Sequence, residues 1–203
     1  MISIITTSVG YFDEHIVPLV ESFKAYNKDA EIIVVDQGCH MPDSMDGAKI
    51  LKVAQTSKAR SINEGMEVAT GDYFVTIDAD VRCRGDYSKI ETFDKNKVHG
   101  TDLRNMEKRS GVWLLVPWLD EWCIIIPRQV YNRIGGFDPK LLAGMSFGGY
   151  DYCIKADKAG IPANQVYLPF EHLWAATKNE IHPRHNMTDA QNKDYVRHKW
   201  GIY

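Results

Sequence analysis

The sequence lacks long apolar runs and paired cysteines. No apolar stretch in its 203 residues approaches the ~20 residues that a membrane-spanning helix needs. Its first residues, MISIITTSVG, have no basic region and turn polar too early for a signal peptide, so we expect a cytoplasmic location. The four cysteines form no C-x-x-C pair, which is typical of a reduced intracellular protein and disfavours a zinc site at Cys39-His40.

Two phosphate-binding motifs are also missing. Neither G-x-G-x-x-G nor G-x-x-x-x-G-K-[ST] occurs, which excludes the usual dinucleotide fingerprint and the Walker loop. The formal net charge is only −3, so the sequence has no clear signal for binding nucleic acid or an anionic membrane. Hydrophobic residues make up 44% and charged residues 25%, which is ordinary for a globular protein. With no repeat or linker, we expect a single domain.

Strands and helices alternate along the chain. The apolar runs at 2–8, 31–36 and 73–77 predict buried strands, and 49–54 is a possible further strand. Amphipathic segments at 13–27 and 57–71 predict the helices between them. This order predicts an α/β fold with a mostly parallel central sheet and helices on both faces.

The second half is less regular. We expect a helix and an exposed loop over 86–110, and two strands over 111–127. Short helices are predicted at 128–134 and 150–160, a last strand at 164–170, and a helix at 188–199 within a polar tail.

Polar side chains follow the predicted parallel strands. Ser8, Asp36, Asp78 and Asp80 all fall at carboxyl ends, where such sheets bind ligands. Asp78 and Asp80 lie on the same side of an extended chain and repel each other unless solvent or a cation separates them. Oxygen ligands of this kind suit Mg²⁺ or Mn²⁺. The alternative is a solvated turn with no ligand.

Six segments follow one another over nearly the whole chain: ISIITTS, EIIVVDQG, SINEGMEVATGDYFVTIDADV, RQVYNRIGGFD, DYCIKADKAG and HKWG. In this order they resemble glycosyltransferase family 2. The resemblance implies a single GT-A domain, Rossmann-like in its α/β layers, over residues 1–203. Within it, 1–85 would be the nucleotide-binding half, 111–175 the donor-sugar and acceptor half, and 176–203 a flexible C-terminal segment.

The resemblance also implies site residues. Asp36 would hydrogen-bond the base of the donor, and Ser8 matches a polar position beside it. Asp78 would touch the ribose and the water shell of the metal, while Asp80 and His172 would ligate Mn²⁺ or Mg²⁺. On the helix predicted at 57–71, before the strand at 73–77, Asn63 and Gly65 match the family's N-x-G motif. The basic residue usual before that asparagine is replaced by Ile62, and Arg60 either substitutes for it or is an ordinary surface arginine.

The general base is the main departure from the family pattern. Relatives carry an acidic cluster before the helix that ends in KAG, but Gly148 and Gly149 occupy its first two places here. Asp151 occupies the last acidic place and is our first candidate, with Asp120 and Glu121 as alternatives.

Three further expectations concern the acceptor, the diphosphate and the tail. Trp118 and Trp122 would form an apolar shelf for an acceptor sugar, or belong to the core. In the polar segment 175–187, Arg184 or His185 would approach the diphosphate, and this segment would become ordered when donor binds.

The resemblance implies a metal-dependent, inverting transfer of sugar from a nucleoside-diphosphate sugar, with UDP as the expected nucleotide, to a hydroxyl acceptor. One alternative is a degenerate module that binds nucleotide-sugar without turnover, which the two glycines would explain. A second is a phosphatase of the haloacid-dehalogenase type, because FVTIDADV also matches the strand that carries its nucleophile.

Overall fold

A computed structural model describes residues 1–8, 12–38, 41–54, 56–104, 108–109, 112–113, 116–142, 145, 147–173 and 184–202. Of residues 12–13, 103–104, 108–109, 112–113 and 184–189 it describes the backbone alone.

Thirteen strands are described. In chain order they are β1 (Ile2–Ser8), β2 (Glu31–Asp36), β3 (Lys49–Lys52), β4 (Tyr73–Ile77), β5 (Val81–Cys83), β6 (Val98–Gly100), β7 (Leu103–Arg104), β8 (Lys108–Arg109), β9 (Val112–Trp113), β10 (Trp118–Leu119), β11 (Cys123–Pro127), β12 (Ala163–Gln165) and β13 (Phe170–His172). Seven of them form one sheet in the order β12-β6-β11-β4-β1-β2-β3.

Five α-helices and two short turns accompany these strands. The helices are α1 (Val17–Lys24), α2 (Lys58–Val68), α3 (Arg128–Ile134), α4 (Gly148–Lys158) and α5 (Arg184–Trp200). A π-helical turn, Phe12–Ile16, leads into α1, and a 3₁₀ turn covers Ser88–Thr92.

The sheet separates two apolar cores. Alternate side chains of β2 divide between them: Ile33 and Val35 pack on the α2 side, Ile32 and Val34 on the α1 side. Helices α2 and α4 cover the first face and α1 the second, through apolar side chains in each core. Strands buried on both faces explain why these runs are apolar throughout. The prediction of a mostly parallel sheet with helices on both faces is confirmed.

Close packing of α2 on the sheet requires a glycine at position 65. A Cβ at Gly65 would lie 2.6 Å from Ile5 Cγ2 and 3.0 Å from Val35 Cγ2. The N-x-G motif therefore contains a glycine that lets the helix approach β1 and β2.

Four strands bring their carboxyl ends to one edge. Strands β1, β2 and β3 pair in parallel, as do β1 and β4, and Ser8 lies opposite Asp36 in the register. This edge of the sheet, where β1, β2 and β4 end, is called the carboxyl edge below.

Strand β11 brings a second segment to the carboxyl edge. It runs antiparallel to β4 with Cys123 opposite Ile77, so the residues just before Cys123 lie where β4 ends. The N–H of Asp78 donates to the carbonyl of Trp122 at 3.1 Å. An antiparallel partner thus places Asp120, Glu121 and Trp122 near the Asp-x-Asp turn.

Some sequence predictions were wrong in detail. The described residues of 86–110, which are 86–104 and 108–109, contain a 3₁₀ turn and short strands rather than a regular helix. The strand expected at 164–170 is two separate strands, β12 and β13, which pair with different partners, β6 and β5. Within 111–127, β9, β10 and β11 replace the two strands predicted. Apolar runs this short do not show which strand each segment pairs with.

The C-terminal helix is longer than predicted. α5 covers Arg184–Trp200 rather than 188–199, and Val196 and Ile202 are buried in the α2-side core. The expectation that 175–187 orders around the donor concerns mostly residues outside those described. None of the described helices has the length and apolar character that a membrane crossing requires.

Candidate functional site

The Asp-x-Asp turn lies at the carboxyl edge, immediately after β4. Asp78 accepts a turn-closing hydrogen bond from the N–H of Val81 at 3.2 Å, through its carbonyl. The side chain of Asp80 is buried, whereas that of Asp78 is partly exposed. At the end of β4, the carboxylate of Asp80 is therefore enclosed by protein, while that of Asp78 is partly accessible to solvent.

His172 completes this cluster from the last strand. Strand β13 pairs antiparallel with β5, and His172 lies opposite Val81 in the register. Its Nε2 is 3.2 Å from Asp80 Oδ1 and 3.7 Å from Asp78 Oδ2. The short β5–β13 ribbon is thus what places a histidine next to two aspartates that are about ninety residues earlier.

The three side chains fit a divalent cation. One ligand atom from each of Asp78, Asp80 and His172 can be chosen so that all lie within 4.8 Å of one another. Two carboxylate oxygens and one imidazole nitrogen suit Mn²⁺ or Mg²⁺ with further positions left for another ligand. These residues would hold the metal expected from the sequence.

The pKa of Asp80 is lowered. Burial alone would raise it, but the hydrogen bond and charge of His172, with a smaller effect of Lys58, outweigh burial. Asp80 is therefore ionised near neutral pH and available as a ligand.

Lys58 is a member of the site that the sequence reasoning missed. It is the first residue of α2, after the N-cap Ser57, and its Nζ donates to Asp78 Oδ1. Burial alone would lower the pKa of Lys58, but Asp78, and then Glu121 and Asp80, raise it overall. A basic residue at the start of the helix preceding the Asp-x-Asp strand was the available signal.

The two predicted shelf tryptophans are in different surroundings. Trp122 stacks on the His172 ring with 5.1 Å between centroids and 13° between planes. Trp118 is 0% exposed and belongs to the α2-side core. Of the two, only Trp122 lies beside Asp78, Asp80 and His172, which are called the metal-ligand cluster below.

Ser8 and Asp36 lie side by side at the carboxyl edge. Both are buried, and they are directly opposite in the β1–β2 register. The carbonyl of Ser8 accepts from Gln37 N at 3.1 Å, and that of Asp36 from Val53 N at 2.9 Å. Their position agrees with the predicted base-binding role, which stays a prediction.

Asn63 and Arg60 contact the chain after α3. The Asn63 amide donates to Phe137 O and accepts from Phe137 N, both at 2.8 Å. Arg60 Nε donates to Pro139 O at 3.0 Å. These contacts fasten residues 135–139 to α2, and the predicted contact of both side chains with nucleotide stays a prediction.

The carboxylate of Asp151 is enclosed by the C-terminal helix. Lys199 Nζ donates to both of its oxygens at 2.7 and 2.9 Å, and Trp200 Nε1 donates to Oδ1 at 2.6 Å. Lys199 also bonds Asp138 at 2.8 Å. Asp151 is 1% exposed, so α5 covers the residue that the sequence made the first candidate for the base.

Glu121 directly precedes Trp122, whose carbonyl accepts from Asp78 N and whose ring stacks on His172. Its charge is among the causes that raise the pKa of Lys58, which bonds Asp78. Its Oε1 accepts from Gly149 N at the start of α4, at 3.3 Å. Asp120 Oδ1 accepts from the N–H of Glu121 at 3.0 Å, which orders this turn.

The glycine at position 149 is required by close packing. A Cβ there would lie 2.0 Å from the carbonyl oxygen of Leu119 in β10. An acidic side chain therefore cannot stand at Gly149 unless β10 moves, and the carboxylate of Glu121, two residues after β10, contacts the same helix start. The side chains of Arg184 and His185, expected near the diphosphate, lie outside those described.

Comparisons with known proteins agree with this geometry. Residues 3–102 match the model of the family "Glycosyl transferase family 2". No curated protein sequence matches the chain.

Solved structures of similar fold are glycosyltransferases. GalNAc-T7 with UDP, GalNAc and Mn²⁺ has a TM-score of 0.76 at 12% identity, over 97% of this chain and 48% of that one. A Drosophila β-1,4-galactosyltransferase 7 mutant with manganese, UDP-Gal and xylobiose has a TM-score of 0.60 at 14% identity, over 92% of this chain and 79% of that one. A mannosyltransferase from Pyrobaculum calidifontis with GDP-Man and Mn²⁺ has a TM-score of 0.58 at 15% identity, over 81% of this chain and 54% of that one.

The chain spans about half the length of the mannosyltransferase and of GalNAc-T7. The family match and the fold shared with glycosyltransferases, a mostly parallel sheet with helices on both faces, favour the family resemblance over the phosphatase alternative. Residues 3–102 therefore belong to glycosyltransferase family 2, and the chain has the GT-A fold.

Proposed function

We propose that the chain transfers a sugar from a nucleoside-diphosphate sugar to an acceptor hydroxyl, with inversion and with Mn²⁺ or Mg²⁺ held by Asp78, Asp80 and His172. The observation that carries this proposal is the ligand cluster at the carboxyl edge, whose donor atoms lie within 4.8 Å of one another. UDP is the proposed nucleotide. GalNAc-T7 and the galactosyltransferase were solved with UDP or UDP-Gal, whereas the mannosyltransferase was solved with GDP-Man.

The neighbouring residues would position the donor. Ser8 and Asp36, adjacent at the same edge, would bind the nucleotide base, and Asp78 would contact the ribose side of the site. When bound, a divalent cation neutralises charge that develops on the departing diphosphate. Trp122, stacked on His172, holds that imidazole ring in the orientation that points Nε2 at the two aspartates.

We propose Glu121 as the general base. Its carboxylate would take the proton of the acceptor hydroxyl while the hydroxyl oxygen attacks the anomeric carbon and the bond from that carbon to the diphosphate breaks. Glu121 directly precedes Trp122, whose carbonyl accepts from Asp78 N, whereas both oxygens of Asp151 are bonded to Lys199 of α5. Asp151, our first choice from sequence, and Asp120 stay as alternatives.

Replacement of a ligand should weaken metal binding. In His172→Ala, one of three donor atoms is lost, and we expect the Mn²⁺ affinity to fall at least about tenfold, since even residues behind the ligands commonly contribute that much. Electron paramagnetic resonance of free Mn²⁺, with and without UDP, measures it. His198→Ala, on the exposed side of α5, is the matched control and should bind as the wild type does. Equal affinity in both variants would remove His172 from the metal site.

The proposed reaction can be tested by a donor screen. UDP-, GDP- and other nucleotide-sugars are incubated with Mn²⁺ or EDTA, and the products of slow hydrolysis or transfer are followed by mass spectrometry. We expect at least one donor to be consumed with Mn²⁺ only, and not by Asp80→Asn. Donor binding without any consumption would favour the non-catalytic module instead, for which the glycines at 148 and 149 are the supporting feature.

A further inference from the structure

An ammonium group already lies among the carboxylates of the metal-ligand cluster. Lys58 Nζ bonds Asp78 Oδ1, and its side chain is only 17% exposed. The lysine is fixed at the first residue of α2, so its ammonium is delivered by a rigid element rather than by a loop. Lys58 lies where a single positive charge offsets part of the repulsion between Asp78 and Asp80.

The two oxygens of Asp78 have different partners. Oδ1 is bonded to Lys58, while Oδ2 is 3.7 Å from Nε2 of His172. A divalent cation that binds both oxygens of Asp78 therefore competes with the ammonium of Lys58 for Oδ1. A dication beside Lys58 is also repelled by it, and this repulsion is strong in a partly buried site.

A diphosphate changes this balance. Its oxygens accept hydrogen bonds from an ammonium group, which has three N–H donors and binds phosphate as a compact charge. A nucleoside diphosphate seated at the carboxyl edge would bring that acceptor next to Lys58 and draw the ammonium from Asp78.

We propose that Lys58 is a positioning residue that exchanges Asp78 for the diphosphate of the donor, and thereby makes cation binding depend on nucleotide binding. Without nucleotide, Lys58 competes with the cation for Asp78. With nucleotide, Lys58 bonds the diphosphate and both oxygens of Asp78 become available to the cation. This inference rests on the proposed nucleotide-sugar site.

The test measures Mn²⁺ affinity in the presence and absence of UDP. Free Mn²⁺ is counted by electron paramagnetic resonance, with protein-free samples giving the correction for the Mn²⁺–UDP complex. In Lys58→Met we expect Mn²⁺ alone to bind about tenfold tighter, and the enhancement by UDP to fall about tenfold, within the usual range of coupling between two ligands. Lys58→Arg keeps the charge and should stay near the wild type in Mn²⁺ affinity without UDP.

A matched control and a second variant keep the outcome interpretable. Lys97→Met removes an exposed lysine paired with Asp94 at 3.4 Å and should leave both affinities unchanged. Lys58→Gln replaces Lys58→Met if the latter does not fold, as judged by circular dichroism.

The opposite sign of effect would overturn the inference. If Lys58 served only to hold Asp78 in place, its removal would leave Mn²⁺ affinity without UDP unchanged or weaken it. If the wild type bound no Mn²⁺ with or without UDP, the metal-dependent function itself would be contradicted, which is a different result from an unchanged affinity in Lys58→Met.

Discussion

Glu121→Gln should lower transferase turnover by about 10²–10⁴-fold, the usual contribution of a positioned general base. The substitution keeps the shape of the side chain, and its amide oxygen can still accept from Gly149 N, as Glu121 does at 3.3 Å. UDP and Mn²⁺ affinities should therefore change little. A loss confined to kcat and kcat/KM, with donor binding retained, indicates an interaction made only in the transition state. Turnover is measured with the active donor from the screen.

Asp151→Asn is the necessary comparison. Asp151 is covered by Lys199 and Trp200, so its replacement should lower stability more than turnover per folded molecule. Asp120→Asn, one residue before Glu121, is the control for a general change of charge at this turn. If folded Asp151→Asn loses turnover by the factor expected for Glu121→Gln, while Glu121→Gln is nearly normal, the base is Asp151 and α5 must release it.

Lys199→Met should destabilise the fold by about 1–3 kcal/mol, the usual cost of leaving a buried acceptor without its hydrogen-bond donor, since Asp151 is buried while Lys199 is partly exposed. Lys199 contacts both oxygens of Asp151, which is 1% exposed. Without it, the carboxylate keeps only the indole N–H of Trp200 as a described side-chain partner. The loss is expected to come from this uncompensated buried charge rather than from the loss of one attractive contact.

Urea unfolding followed by circular dichroism measures this difference. Lys97→Met, which breaks an exposed pair with Asp94, should cost no more than about 1 kcal/mol. The double variant Lys199→Met/Asp151→Leu removes Asp151 together with its partner and should recover the part of the loss that Asp151 causes, although Asp138 still lacks Lys199. If Lys199→Met and Lys97→Met unfold at the same urea concentration, α5 is not held by this cluster.

The same cluster predicts a pH dependence. Burial alone would raise the pKa of Asp138, but hydrogen bonds from Lys199, Lys140 and Tyr195 outweigh burial and lower it. A carboxyl with a lowered folded pKa contributes stability above its unfolded value, 3.8 here, and loses that contribution as pH falls through the folded pKa. The contribution of Asp138 to the difference in free energy of unfolding between wild type and Lys199→Met should therefore decrease below about pH 4.

The carboxyl edge could be predicted from the sequence because it depends on local patterns. Buried runs 2–8, 31–36 and 73–77 alternate with helices, and that order determines where Asp36 and Asp78 emerge. The pattern requires no knowledge of side-chain contacts. His172 came from the family resemblance, and the β5–β13 pairing is the physical reason that it reaches Asp80.

The contacts of Glu121 and Asp151 could not be predicted in this way. An apolar strand such as β11 has the same pattern whether it pairs parallel or antiparallel, yet its antiparallel pairing with β4 brings Glu121 to the carboxyl edge. The burial of Asp151 depends on α5, which is 33 residues or more away along the chain and has a polar surface pattern. Long-range docking of this kind leaves no periodic signal in either segment.

The central claim is that Asp78, Asp80 and His172 hold a cation that joins the protein to a nucleoside diphosphate. Isothermal titration of UDP and of GDP into the wild type, in Mn²⁺ and again in EDTA, tests it most directly. We expect the tighter-binding nucleotide to lose at least about tenfold in affinity when the cation is removed, and Asp80→Asn to bind it in Mn²⁺ as weakly as the wild type does in EDTA. Equal affinity of the wild type in Mn²⁺ and EDTA would contradict the account.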